Sequence, residues 1–291
     1  MTTLRLGTRG SLLARTQSQQ VADAITAATG VGVELIIIST KGDRVTDRPL
    51  QQVGGKGLFT KEIEDAMIAG EVDFAVHSMK DMPTEGPEQL EVSVVPQRVD
   101  PRDALIGARL ADLPQGAVVG TGSVRRQLQL RALRPDLQLK GIRGNVDTRI
   151  AKQQAGEYDA IVLAMAGLTR LGRASDATEA LDIDAMIPAV GQGALAIQSR
   201  RNDAATRRVL DAIHHEPTAV CIAAERAFMA AVSGGCSAPA ACYAEWGDGE
   251  IIARGVWAAD EGGEGRRLKR SAGPLHAATL GRELARQLME G

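Results

Sequence analysis

Cys236 sits in "SGGCSAP", behind Gly234 and Gly235 and ahead of Pro239. Glycines let a backbone turn tightly and approach a ligand, and proline fixes the exit, so this segment can present a thiol to a cleft. Cys221 lies in a helical run of small and apolar residues and Cys242 opens a strand-like segment, both positions that suit packing. Spacing alone leaves a reactive and a packing role for Cys236 open. The second signal is arginine. Thr121 to Ile150 carries Arg125, Arg126, Arg131, Arg134, Arg143, Arg149 and Lys140 against Asp136 and Asp147, a local excess of five positive charges in a chain whose net charge is -2. Arg125 and Arg126 fall in the first turn of a helix predicted after "GTGS", where the macrodipole disfavours each cation by about 0.3 to 1 kcal/mol. A bound anion reverses that sign: backbone N–H groups at Thr121 to Val124 suit an oxyanion, and guanidinium forks suit carboxylate or phosphate. A solvated basic helix face is the plainer alternative. Arg9 and Ser11 occupy a matching turn in "GTRGS" near the N-terminus.

"VHSMKDMP" places Lys80 and Asp81 just past a predicted strand, where open α/β sheets hold ligands, and Lys80 favours an ionised Asp81 if the two approach. The alternative is a pair of exposed loop residues before Pro83. His77 reads as a half-buried imidazole with its hydrogen bonds met. "GTGSVR" sets Arg125 where a dinucleotide fingerprint needs its third glycine, and "GGKGLF" lacks the phosphate-loop spacing, so neither nucleotide motif is present.

The elements that must position these residues alternate between strand and helix, the pattern of α/β units. "LRLGTRG" reads as a strand and "SLLARTQSQQVADAITAATG" as a helix, with Ser11 its N-cap, Val21, Ile25 and Ala28 on one face and Gly30 past its end. A strand in "VELIIIS", a helix around Ile63 and Met67 stopped at Gly70, and strands in "VDFAVHS" and "LEVSVVP" complete a first lobe; the polar stretch Lys41 to Leu58 reads as a lid loop. A second unit repeats the order from "GAVVGTGS", with Asn145 capping a further helix, and "GALAIQSR" reads as a strand returning to the first lobe. The predicted division is 1–96 with 194–213, 97–193, and a small mixed α and β domain over 214–291.

At 291 residues, 44% hydrophobic and 24% charged, the chain has the composition of a soluble globular protein, and its slightly acidic balance argues against a general nucleic-acid or membrane-surface binder. Three Phe, two Tyr and two Trp leave little for base stacking. The N-terminus lacks a basic segment followed by an apolar one, and three cysteines fit a reducing compartment, which together predict a cytoplasmic protein. No Cys pair has C-x-x-C spacing and the four histidines lie far from the cysteines, so no metal site is predicted.

Taken in order, "GTRGS", "GGKGLF", "VHSMKDMP", "GTGSVRRQ", "IRGNVDTR", "GLTRLG", "PAVGQGALAI" and "SGGCSAP" resemble the porphobilinogen deaminase (hydroxymethylbilane synthase) family over nearly the whole chain. The resemblance implies two lobes similar to periplasmic binding proteins and a small C-terminal domain whose loop carries the cysteine. It implies that Cys236 bears a covalent dipyrromethane cofactor through a thioether and that Cys242 does not. It further implies a reaction joining four porphobilinogen units head to tail with release of ammonia; nothing in the sequence demands more than a monomer, and its composition predicts no nucleic acid or membrane partner.

By match to the family's motifs, Asp81 is the catalytic residue. Lys80, Asp81, Thr121, Ser123, Arg125, Arg126, Gly144 and Asp147 would bind the cofactor, and Arg9, Ser11, Phe59, Arg143, Arg149, Arg170 and Gln192 the substrate and the growing oligopyrrole. Arg15, Thr16, Ala240 and Ala241 depart from the family's usual residues without removing a charge from this set. Two other readings fit the residues alone: a non-catalytic two-lobed anion binder, and an enzyme using Cys236 as an ordinary nucleophile helped by His77.

Overall fold

The computed structural model describes residues 3–40, 42, 60–232, 238–260 and 262–291. In chain order the elements are β1 (Leu4–Thr8), α1 (Leu12–Thr29), β2 (Val33–Ile37), α2 (Lys61–Ile68), β3 (Phe74–Ser78), β4 (Leu90–Val94), β5 (Asp103–Ile106), β6 (Val118–Gly120), α3 (Val124–Leu133), β7 (Gln138–Lys140), α4 (Val146–Gln154), β8 (Ala160–Ala164), α5 (Met165–Arg170) and β9 (Glu179–Ala180). They continue with β10 (Leu195–Arg200), α6 (Ala204–Leu210), α7 (Glu216–Ala231), β11 (Ala240–Gly247), β12 (Glu250–Trp257), β13 (Arg266–Ala272) and α8 (Ala277–Glu290). The chain divides into two compact units, 1–98 with 194–219 and 99–193 with 220–291.

The first unit is built on a sheet of order β2-β1-β3-β10-β4. β1 runs parallel to β2 and β3, while β10 returns antiparallel between β3 and β4. Leu6, Phe74, Val94 and Ile197 pack with Val21, Ala22 and Ile25 of α1 to make its core. The buried stripe of α1 is Gln17, Ser18, Val21, Ala22 and Ile25. Ala28 is exposed, contrary to expectation: at 100° per residue it falls within the angular width of the stripe, but it lies in the last turn, beyond Ile25, the last buried residue of the helix. Gly30, at φ 72°, closes the helix in the left-handed conformation and returns its N–H to the Thr26 carbonyl.

The second unit contains a sheet of order β7-β6-β8-β5-β9 and a three-stranded meander β11-β12-β13. β6 is parallel to β7 and β8, and β5 runs antiparallel between β8 and β9, so this sheet repeats the order and polarity of the first. Its two faces are covered by separate apolar clusters, one around Leu105, Val119, Leu130 and Val162, the other around Ile106, Ile142, Ile150 and Ile161. The meander packs on α7 and α8 through Phe228, Ala253, Leu284 and Leu288. The helices approach so closely that a Cβ on Gly281 would lie 2.0 Å from the Ala224 carbonyl oxygen. Leu128 and Ile187 pack against Tyr243 and Val256, joining the five-stranded sheet's layer to the meander. Cys221 and Cys242 are buried in the core of the meander and its helices. Among the described residues, no helix is long and apolar enough to cross a membrane.

Candidate active site

In the first unit the sequence between β1 and α1 folds into a capped turn. Ser11 accepts the Ala14 N–H at 3.3 Å, and buried Thr8 accepts the Ser18 hydroxyl at 2.7 Å. Arg9 is half-buried in that turn. Gln17 of α1 donates to Ser78 Oγ at 3.1 Å, which ties the helix to the last residue of β3. Met79–Asp81 forms a single 3-10 turn directly after β3, and the Met79 N–H bonds to the Ala194 carbonyl ahead of β10. Met79 and Met82 are buried on either side, so the turn is anchored by two thioether side chains while Asp81 stays exposed and Lys80 half-buried.

His77 differs from its expected half-buried state. It is fully buried, its Nε2 has no hydrogen-bond partner, and burial lowers its pKa to about 4, with the charge of Arg9 acting in the same direction and the Gln198 side chain opposing them. Its place in the sheet accounts for the burial: His77 lies in β3, the middle strand of the five, where it pairs with Ala196 of β10. A ring this enclosed and this weakly basic is a poor general base for a thiol.

In the second unit the β6–α3 turn holds Thr121 and Ser123. Thr121 is buried and its N–H goes to the Lys140 carbonyl, while the Ser123 N–H turns to Thr121 Oγ1 at 3.3 Å. Two of the amides expected to cradle an oxyanion therefore close the turn itself. Ser123 occupies the N-cap position without a side-chain cap bond.

Arg125 and Arg126 are buried, at 6% and 8% exposure, and this removes the solvated-face alternative. Both meet Asp103, the first residue of β5. Arg125 Nη1 lies 2.7 Å from Asp103 Oδ2, and Arg126 Nε and Nη2 lie 3.0 and 2.7 Å from Oδ1. The counter-anion offsetting the helix macrodipole is thus, in part, a carboxylate of the protein. Burial pushes the Asp103 pKa up, and the charges and hydrogen bonds of the two guanidiniums outweigh it, holding the carboxyl well below the usual range. Gln192 Nε2 adds bonds to Asp103 Oδ1 at 2.9 Å and to the Pro101 carbonyl at 2.7 Å.

Around this group stand further cations. Arg149, half-buried in α4, donates from Nε to the Gly144 carbonyl at 2.7 Å. Its pKa is lowered by burial first and then by the positive charges of Arg126 and Arg143. Gly144 has φ 115°, and a Cβ there would lie 2.7 Å from the Thr148 side chain, so only glycine makes this bend before the Asn145-capped helix. Arg143 is exposed beside it. Arg170, at the end of α5, is buried, donates to the Gly193 carbonyl at 2.8 Å and has its pKa pushed down to about 10 by burial. Among the described residues no carboxylate pairs with it. Asp147 is drawn to a different task, an exposed ion pair with Arg173. Cys236, Phe59 and, apart from Gly42, the Lys41 to Leu58 stretch lie outside the described residues.

Among the described residues, the two completely enclosed carboxylates carry no motif. Asp103 stands at the head of the apolar run "DALI", and Glu225 within "CIAAERAFMAAV". An acid inside an apolar stripe must be paired when buried, and that was the available signal. Glu225 accepts the Gly191 N–H at 2.7 Å and the Ala244 N–H at 2.9 Å, which links α7 to the "VGQG" segment and to β11.

An exposed carboxylate at the strand ends of one sheet, and crowded or buried guanidiniums at those of the other, define a class: an α/β protein with charged side chains gathered at the ends of two like sheets. The chain belongs to the porphobilinogen deaminase family. The family profile described as "Porphobilinogen deaminase, dipyromethane cofactor binding domain" matches residues 4–208, and that described as "Porphobilinogen deaminase, C-terminal domain" matches residues 219–290. A porphobilinogen deaminase of Syntrophobacter fumaroxidans is 45% identical over 291 residues, covering 99% of this chain and 94% of that protein. One from Thermobifida fusca is 46% identical over 301 residues with the same coverage. Among solved structures, the methionine binding protein MetQ is similar over 72% of this chain and 89% of its own, at 11% identity and a TM-score of 0.45.

Proposed function

We propose that this chain joins four porphobilinogen molecules head to tail, releasing one ammonia per unit, and that water then frees the linear tetrapyrrole hydroxymethylbilane. The observation that carries the reading is the concentration of positive charge around Arg126, Arg143 and Arg149, where the Arg149 pKa is lowered by burial and then by its cationic neighbours and its side chain meets no described carboxylate. Each porphobilinogen brings an acetate and a propionate, so a growing chain adds two negative charges per unit. Fixed guanidiniums meet that demand without titrating at neutral pH. Family membership supplies the reaction.

On this reading Cys236 holds the dipyrromethane through a thioether, and the bound group supplies the pyrrole carbon on which the oligomer begins. Several carboxylates on such a group match the donors of the second unit: Arg126, Arg143, Arg149 and Arg170, with Thr121 and Ser123 at the turn; by the family's motifs Arg9, Ser11 and Lys80 of the first unit are also ligand-binding residues. Asp81 stabilises positive charge on a pyrrole ring as ammonia departs and as the next ring is attacked, and holds the proton that moves to the amine or off the ring carbon. An exposed carboxylate on a short turn anchored by Met79 and Met82 is free to take this part without disturbing the core. By the family's motifs Phe59 is a substrate-binding residue, and Gly144, Asp147 and Gln192 belong to the site. The reading includes three domains, 1–96 with 194–213, 97–193 and 214–291, in a cytoplasmic monomer that engages neither nucleic acid nor membrane.

Turnover with porphobilinogen tests it. One ammonia released per porphobilinogen consumed, and one bilane per four, is the expected stoichiometry. Saturable binding of porphobilinogen without ammonia release would make the chain a binder and sink the proposal.

A further inference from the structure

The buried carboxylate of Asp103 belongs to no motif, yet it gathers four donors: Arg125 Nη1 on Oδ2, and Arg126 Nε, Arg126 Nη2 and Gln192 Nε2 on Oδ1, all between 2.7 and 3.0 Å. The remaining bonds of the arginines also run inward, from Arg125 Nη1 to the Ile187 carbonyl at 2.7 Å and from Arg126 Nη1 to the Val162 carbonyl at 2.9 Å. Asp103 is completely enclosed, so its charge acts at low screening. Without it, two buried guanidiniums would face each other and the neighbouring Arg149 with no anion of the protein between them.

We propose that Asp103 is a positioning residue of the deaminase reaction, an internal counter-carboxylate that holds Arg126 and Gln192 in place before any pyrrole carboxylate arrives. The inference rests on the functional reading above and deepens it. With one negative charge among Arg125, Arg126 and Arg149, the cluster is assembled in advance and keeps a residual positive charge for the ligand. The carboxylate also ties β5 to the "VGQG" segment: Gln192 binds Asp103 and Pro101, while the next residue, Gly193, offers its carbonyl to Arg170. One buried acid thereby sets the geometry of the arginines on α3 and of the residue beside Arg170. Its effect belongs in the affinity for carboxylate-bearing pyrroles more than in bond-making, which falls to Asp81.

The test compares the full-length parent with Asp103→Asn, Asp103→Glu and Gln192→Met, using porphobilinogen as the probe. Steady-state kinetics give KM and kcat, and the intact mass of the denatured chain gives the fraction carrying two pyrrole units. Asp103→Asn should raise KM at least tenfold with kcat changed less than threefold, and lower the loaded fraction of the folded protein. Asp103→Glu, which keeps the charge, should recover part of both. Gln192→Met, which removes one neutral donor, should raise KM about threefold. An active parent whose folded Asp103→Asn variant is normally loaded with KM within twofold of the parent would overturn this proposal alone. If Asp103→Asn does not fold, an unchanged KM in Gln192→Met would overturn it equally. A parent that releases no ammonia from porphobilinogen overturns the functional reading, and the proposal with it.

Discussion

The two five-stranded sheets share strand order and polarity but use equivalent positions in opposite ways. In the first, the residues following β3 form an anchored turn that leaves a carboxylate exposed, Asp81. In the second, the residues following β8 form α5, which ends in a buried guanidinium, Arg170. The helix after the first strand of each pattern differs likewise: α1 is capped by Ser11, whereas α3 starts without a side-chain cap bond and buries two arginines against Asp103. A shared backbone plan thus carries an acidic, solvent-facing turn on one sheet and a basic, enclosed one on the other. An exposed acid can change charge partners during a reaction, and an enclosed base binds anions with little reorganisation.

Asp81→Ala gives the largest expected effect on this contrast, a loss of about a thousandfold or more in kcat, in line with removal of a group that both stabilises charge and moves a proton. Its melting temperature should stay near that of the parent, since the side chain is exposed; a large fall in melting temperature would make the turn structural and erase the distinction between the two sheets. Arg149→Leu should cost about 2 to 4 kcal/mol in kcat/KM for porphobilinogen, as expected when a partly buried charge partner of a ligand is removed. Unchanged saturation kinetics would return that arginine to a merely structural part.

A pH series sharpens the comparison within the first sheet. His77 has a folded pKa of about 4 against 6.5 in an unfolded chain, so the unfolded state binds the extra proton between these values. Stability should therefore fall as pH drops from about 6.5 to about 4, by roughly 3 kcal/mol at most from this group. Thermal melts of His77→Leu over that range should lack this component, and an acid limb identical to the parent's would contradict the buried neutral ring. The smallest difference is at the helix starts: Ser11→Ala should lose about 1 kcal/mol of stability by chemical denaturation, and Ser123→Ala close to none. Equal losses would mean that the two turns are capped alike.

Much of this arrangement was legible in the sequence because local chemistry fixed it. Ser11 before an apolar-periodic run, Gly30 after it and Asn145 ahead of "VDTRI" each mark a helix end, and the structure has those caps. The return of "GALAIQSR" to the first lobe is β10, and the structure shows that it enters the sheet antiparallel. Long-range pairing was harder to read. The charge run pointed to an anion near Arg125 and Arg126, but Asp103 lies about twenty residues upstream, at the head of a strand, and only the β5–β8 pairing brings it beneath α3. His77 reads as a half-buried imidazole, whereas its place in β3, the middle strand of the sheet, encloses it. Local patterns report caps and periodicity; they do not report which buried charge meets which.

The measurement that bears most directly on the central claim is the intact mass of the purified, denatured chain beside that of Cys236→Ser. The account predicts an excess equal to two porphobilinogen units less two ammonia in the parent, absent from the variant. A parent that shows no excess, and gains none after incubation with porphobilinogen, would contradict it.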